Sequence, residues 1–152
     1  MSAPVHPRPA VLDLFAGAGG LGLGLTRAGF RVQAANEYEP VFAATYALNH
    51  PETAVVAGDV LDPAIRAHLL AAAHGVDLVA GGPPCQGFST VGKKDEDDPR
   101  NKLFYAFLGI VADLRPRAVL FENVSGFRRM YGGRAFQALM RGLDDLGYPA
   151  LH

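Results

Sequence analysis

This chain is poor in the groups that staple small proteins together: it has one cysteine, Cys85, and five scattered histidines. One cysteine cannot close an internal disulfide, which fits a reducing, cytoplasmic setting. His68 and His74 form the closest histidine pair and no cysteine cluster accompanies them, so no metal site is expected. Long apolar runs are also missing. Nothing approaches the roughly 18 residues that a membrane span needs, and Leu69–Ala73 is stopped by His74 and Gly75. The first ten residues lack an apolar stretch of the kind a secretory signal carries, so no such signal is expected. Internal repeats and low-complexity tracts are absent. Net charge is nearly absent too, at −1. It is unevenly spread: residues 1–99 hold six Lys/Arg against eleven Asp/Glu, and residues 100–152 hold eight against four. Taken alone, the basic third reads as a solvated helix face. The sharper alternative is one phosphate-facing edge.

What is present describes one globular domain. The 152 residues are 49% hydrophobic and 19% charged, with a mean hydropathy of +0.12. Short apolar runs at Ala10–Phe15, Arg31–Asn36, Thr53–Ala57, Val76–Ala80 and Arg117–Phe121 read as buried strands. Helical spacing fills the intervals, at Leu21–Ala28, Glu39–Leu48, Pro63–Ala73, Lys102–Leu114 and Gly133–Leu146. Asp62 before Pro63 suits a helix start, and Gly29 and Gly147 fall where helix ends want a left-handed residue. Strict alternation predicts an α/β fold, a doubly wound and mostly parallel sheet with helices on both faces. The longest irregular stretch, Gly82–Arg100, is expected to be a functional loop. Tyr148–His152 looks like the opening of a sixth strand, so the unit is read as C-terminally incomplete.

In such a sheet, ligands bind beyond the carboxyl ends of the strands. The special residues fall there: a glycine turn after the first strand, Glu37 after the second, Asp59 after the third, the Cys85 loop after the fourth and Glu122 after the fifth. Gly17-Ala-Gly19-Gly20-Leu-Gly22 fits the dinucleotide pattern Gly-x-Gly-x-x-Gly, with Glu37 about 20 residues on. It argues for an adenosine-type cofactor without choosing among NAD, FAD and S-adenosylmethionine. The bland alternative is a tight turn with no ligand. Asp59 could accept from an adenine amino group or simply shape a turn beside Asp62. Cys85 sits in a Gly/Pro-stiffened loop, Gly81-Gly-Pro-Pro-Cys85-Gln-Gly-Phe-Ser89. That setting suits an attacking thiolate, although a lone cysteine is most often a small buried hydrophobe. Glu122 follows the apolar run Ala118–Phe121. Burial there would favour its protonated form and let it act as an acid, and the alternative is a salt bridge to an arginine.

At these residues the sequence resembles the DNA (cytosine-5)-methyltransferases. The resemblance rests on several ordered blocks: Asp13–Gly20, Asn36-Glu37 with Ala44-Thr-Tyr46 and Asn49, Gly58-Asp-Val60, Gly81–Ser89, Asp98–Leu103 and Glu122-Asn-Val124. It covers nearly the whole chain and implies a Rossmann-like fold of the S-adenosylmethionine-dependent type. It implies that S-adenosylmethionine is held by Phe15, Ala16, Gly17, Gly19, Gly20, Leu21, Glu37, Tyr38, Asp59, Val60, Pro84 and Leu103. It implies that Cys85 is the nucleophile and Glu122 its partner, with Gln86, Ser89 and Asn123 near the substrate. The substrate implied is double-stranded DNA, in which a flipped cytosine is methylated at C5 through a covalent cysteine adduct. A prokaryotic, nucleoid-associated role in restriction-modification follows from the same resemblance.

The family continues past the blocks found here with a Gln-x-Arg-x-Arg segment and a target-recognition region. Residues 1–152 are therefore read as a partial cofactor-binding and catalytic domain whose target-recognition domain is absent. It is expected to work as part of a split or truncated enzyme with a complementary polypeptide. The alternatives are an inactive S-adenosylmethionine-binding remnant or regulatory module and, from the glycine pattern alone, a nicotinamide-dependent oxidoreductase.

Overall fold

Strand and helix alternate along the chain in a computed structural model that describes residues 8–84 and 102–149. The strands are β1 (Ala10–Leu14), β2 (Arg31–Glu37), β3 (Ala54–Ala57), β4 (Leu78–Gly81) and β5 (Ala118–Phe121). The helices are α1 (Gly20–Arg27), α2 (Pro40–Asn49), α3 (Pro63–Ala72), α4 (Lys102–Leu114) and α5 (Arg134–Asp145), with a 3-10 segment at Phe127–Gly133. All strand pairs are parallel, in the order β3-β2-β1-β4-β5. The doubly wound sheet expected from the sequence is thus present. Element limits shift by one or two residues, the ordinary uncertainty of frayed ends.

The local signals act as their chemistry requires. Asp62 caps α3, its side chain accepting from Ala64 N–H at 2.7 Å and Ile65 N–H at 3.4 Å. Gly29 (φ 92°) closes α1: Phe30 N–H donates to Leu25 C=O and Gly29 N–H to Thr26 C=O. Gly147 (φ 86°) closes α5 in the same way, with Tyr148 N–H on Leu143 C=O. Tyr148 then turns back, its hydroxyl donating to Pro116 C=O at 2.7 Å. As far as Pro149 no sixth strand begins. The rest of the expected strand opening, Ala150–His152, lies outside the described residues.

The helices divide between the two faces. Leu12 and Leu14 of β1 pack with Leu69 of α3 and with Phe107, Ile110 and Val111 of α4. On the opposite face Val11 packs with Leu25 of α1, and Ala35 of β2 with Tyr46 of α2. Central β1 is buried at every residue. Among the described residues β5 pairs only with β4, at the far edge of the sheet. Val119 and Phe121 face α4 and α5, whereas Ala118 and Leu120 are exposed, so β5 is half covered. This differs from the buried fifth strand expected from its apolar sequence, because an edge strand with helices on one side has no packing partner for its other face.

Candidate active site

The chain turns sharply as β1 ends. Phe15 is held at φ 56°, a left-handed conformation unusual for a bulky side chain, and Gly17 (56°) and Gly19 (101°) follow in the same region. Ala16 N–H donates to Asn36 C=O at 3.0 Å, and Gly17 N–H donates to Glu37 Oε2 at 2.7 Å. Glu37 Oε1 accepts from Glu39 N–H at 2.8 Å. The carboxylate at the end of β2 therefore clamps the glycine turn on one side and the start of α2 on the other. Each oxygen keeps a second lone pair for a ligand hydroxyl. Asn36, 2% exposed, donates from Nδ2 to Val56 C=O and Gly58 C=O, bracing the β3 end against β2.

Two kinds of glycine occupy the turn. Gly20 has an ordinary φ, and a Cβ added there would meet nothing within 4 Å. The fold itself places no demand for glycine at that position, so the open side is free for a ligand to approach the backbone. Gly19 and Gly22 are crowded from beneath instead. A Cβ on Gly19 would lie 2.6 Å from His50 Nε2, and one on Gly22 would run into the Tyr46 hydroxyl. Tyr46 is fully buried and donates to Asp13 Oδ2 at 3.1 Å. Asp13 is fully buried too, and its Oδ1 has no hydrogen-bond partner. Burial pushes the Asp13 carboxyl up to about 7, although the Tyr46 hydroxyl and the Gly22 N–H pull the other way. Burial, and then the Asp13 charge, raise Tyr46 well above the usual phenol range.

The remaining implied cofactor residues spread along the same rim. Tyr38 is 64% exposed beside Glu37, and Leu21 is half-buried at the start of α1. Asp59 closes a turn through Oδ1, which accepts from Leu61 N–H at 2.9 Å. Its turn-shaping role is real, and Oδ2 is left for a ligand. Val60 and Ala16 are buried, Val60 within the main core, so those two positions offer a ligand backbone rather than side chain. Leu103, early in α4, leans on the same core.

The fourth and fifth strand ends meet closely. Gly81 runs so near β1 that a Cβ would come 2.5 Å from Leu14 C=O. Glu122 N–H donates to Gly81 C=O at 3.0 Å, and Asn123 Nδ2 donates to Pro83 C=O at 3.2 Å. A Cβ on Gly82 would lie 2.8 Å from Glu122 Oε2. The Glu122 carboxylate thus rests on the backbone three residues before Cys85. Pro84 is exposed at the last described position of that strand end, and Cys85, Gln86 and Ser89 lie outside the described residues. Glu122 itself is exposed, so the buried setting expected for it is not found; it follows an edge strand.

The basic third divides between the two ends of the sheet. Lys102, Arg128, Arg129 and Arg134 follow β4 or β5 on the carboxyl-end side, Arg100 lies outside the described residues, and Arg115 and Arg117 precede β5 at the opposite end. Arg115 donates to Leu146 C=O, and Arg117 stands 3.7 Å from Asp77. Arg128 lies over the Phe136 ring. A groove of about 730 Å³ follows β5 and α5 and takes in Asn123, but no residue of the glycine turn. Among the described residues no cluster of side chains could hold a metal ion, and no helix is long and apolar enough to cross a membrane.

The asymmetry between Asp13 and the rest of β1 was the signal that reading by motif underused. One acidic residue in an otherwise apolar buried strand needs a partner, and Tyr46 supplies it from 33 positions away.

Comparisons with known proteins place this geometry. The model of the C-5 cytosine-specific DNA methylase family matches residues 10–151. The Type II methyltransferase M.AgeI of Thalassovita gelatinovora is 45% identical over 142 residues, 91% of this chain and 33% of that protein. M.XorII of Xanthomonas oryzae is 43% identical over 78% of this chain and 29% of its own length. Among solved structures, a prophage-encoded E. coli protein described as a DNA modification methyltransferase superposes with a TM-score of 0.72 at 35% identity, over 90% of this chain and 38% of that one. The chain spans about a third of the curated relatives it matches.

Proposed function

The chain belongs to the C-5 cytosine-specific DNA methylase family, and from that premise we propose that it methylates C5 of a cytosine flipped out of duplex DNA, together with a polypeptide supplying the remainder of the relatives' length. The observation that carries this reading is the contact between Glu122 and Gly82, which sets an acid beside the loop leading to Cys85.

The residues present fit S-adenosylmethionine, which when bound supplies an electrophilic methyl group. Gly17 and Gly20 leave the turn's open side bare, and the free lone pairs of Glu37 would accept from the ribose hydroxyls. Asp59 Oδ2 would accept from the adenine amino group, while Phe15, Gly19, Leu21, Tyr38, Pro84 and Leu103 would border the ligand.

Cytosine C5 is a weak nucleophile, and Cys85 and Glu122 correct that between them. The Cys85 thiolate adds to C6, forming a carbon–sulfur bond and moving electron density to C5. Glu122, protonated or hydrogen-bonded at N3, takes up the charge that develops on the ring. After C5 gains its methyl group its proton passes to solvent, the C5–H electron pair restores the C5–C6 double bond, the C6–sulfur bond breaks, and the thiolate leaves. The flipped base also covers Glu122. Its desolvation then comes from substrate rather than from the fold, consistent with its exposure here. Asn123, tied to Pro83, keeps the two strand ends together, and Gln86 and Ser89 are assigned to the DNA side by the family resemblance alone.

Transfer of labelled methyl groups from S-adenosylmethionine to C5 of cytosine in duplex DNA tests the proposal. The chain is mixed with a polypeptide carrying the part of M.AgeI beyond its match to this chain. Label at C5 is expected with the wild-type chain and not with Cys85→Ala. Cofactor binding without transfer in that mixture would contradict the proposal and favour an inactive binding module.

A further inference from the structure

The mechanism above makes no use of the buried carboxylate of Asp13, or of the two side chains from α2 and its C-terminal cap stacked between it and the turn. Asp13, Tyr46 and His50 form a continuous column beneath the glycines. The Tyr46 hydroxyl donates to Asp13 Oδ2 at 3.1 Å and occupies the space a Gly22 side chain would need. The His50 ring packs on Tyr46 at 4.5 Å between centroids. His50 Nε2 lies 3.2 Å from Gly19 C=O, to which it donates when that nitrogen carries the proton. The backbone of both crowded glycines therefore rests on side chains whose far end is a fully buried carboxylate with one unpartnered oxygen.

We propose that Asp13, Tyr46 and His50 are positioning residues for the cofactor turn, and that the charge on Asp13 sets how firmly the turn is held. The inference rests on the reading that this turn binds S-adenosylmethionine. Ionised Asp13 receives a charge-assisted hydrogen bond, roughly twice as strong as a neutral one, from the Tyr46 hydroxyl. Protonation weakens it, loosens Tyr46 beneath Gly22, and through Tyr46 the His50 support of Gly19. A positively charged cofactor also favours the ionised carboxylate. Because burial holds Asp13 near 7, the change falls in the neutral range.

The groups that surround Asp13 are few. Helix α1 brings Gly22 against Asp13 Oδ2, and its one charged residue, Arg27, is exposed. Helix α2 contributes Tyr46, and the residue that caps its end, His50, stacks one ring further on. The nearest acid on β2 is Glu37, engaged with Gly17. The four residues of β4, Leu78–Gly81, carry no titratable side chain. His50 is the other titratable side chain of the column besides Tyr46.

Calorimetric titration of S-adenosylmethionine into the protein between pH 6 and 8.5 tests the proposal, with melting temperature recorded for each variant. Wild-type affinity is expected to rise about tenfold with pH across neutrality, from the charge-assisted Tyr46 bond alone. Asp13→Asn should abolish that dependence. Tyr46→Phe should weaken binding several-fold and move the midpoint upward, since the hydroxyl favours the charged carboxylate. His50→Gln, which keeps a donor for Gly19 C=O, should retain both the affinity and the pH profile, whereas His50→Ala should lose affinity with the midpoint unmoved. Retention of the pH rise in Asp13→Asn, or its loss in His50→Gln, would overturn the proposal. Wild-type binding without pH dependence would overturn this inference and leave the cofactor reading standing. No binding by wild type at any pH would overturn both.

Discussion

Glu122 closes over Gly82: a side chain on Gly82 would begin 2.8 Å from Glu122 Oε2 and 2.9 Å from Glu122 C=O. Gly82, the residue after β4, is thus crowded by both the side chain and the backbone of the acid that follows β5. The relationship joins two neighbouring strand ends.

Gly82→Ala should therefore displace Glu122 with little effect on the rest of the fold, since Gly82 lies at the rim. In the complemented methyl-transfer assay the rate is expected to fall at least tenfold, because misplacement by about 1 Å can cost roughly a hundredfold. Melting temperature should change by only a few degrees. Cofactor affinity, measured alongside, should stay within twofold of wild type.

The two classes of glycine in the turn should separate by mutation. Gly20→Ala meets open space, so its melting temperature is expected to stay close to wild type while S-adenosylmethionine affinity drops several-fold. Gly22→Ala collides with the Tyr46 hydroxyl and should lose stability on the order of 1–3 kcal/mol by overpacking, read from denaturant unfolding. Equal behaviour of the two variants would contradict the assignment of Gly20 to the ligand side.

Burial of Asp13 has a consequence for stability that does not depend on any ligand. Its folded carboxyl is raised from 3.8 to about 7, so between those values the folded protein binds the extra proton. Stability contributed by that proton is full below about 4 and is lost as pH rises through about 7. Asp13→Asn, which keeps an acceptor for Tyr46, should flatten this decline. At pH 8 it should be more stable than wild type by an amount on the order of a few kcal/mol. Denaturant midpoints at pH 5 and pH 8 give the comparison.

Much of this architecture was legible in the amino-acid order because its determinants are local. Asp62 caps the helix that Pro63 begins, and Gly29 and Gly147 end helices through positive φ; each acts on neighbours a few residues away. The glycine turn and Glu37 are about 20 positions apart, and the first βα unit brings them into the 2.7 Å bond seen here. Tertiary placement was less accessible. The apolar run Ala118–Phe121 does not reveal that β5 lies at an edge with helices on one face, which is why Glu122 is exposed rather than buried. Nor does sequence spacing show that Tyr46 reaches Asp13 or that His50 reaches Gly19, because helix α2 must first fold over the sheet.

The central claim is that Cys85 bonds to cytosine, and the most direct measurement is peptide mass spectrometry after trapping. The chain and the complementing M.AgeI segment are incubated with S-adenosylmethionine and duplex DNA containing 5-fluorocytosine, whose fluorine blocks the loss from C5 that frees the enzyme. The account predicts a peptide carrying Cys85 joined to methylated 5-fluorocytosine, absent from Cys85→Ser and strongly reduced in Glu122→Gln. A folded, cofactor-bound complex that yields no adduct at Cys85, or one that methylates cytosine with Cys85 replaced by serine, would contradict it.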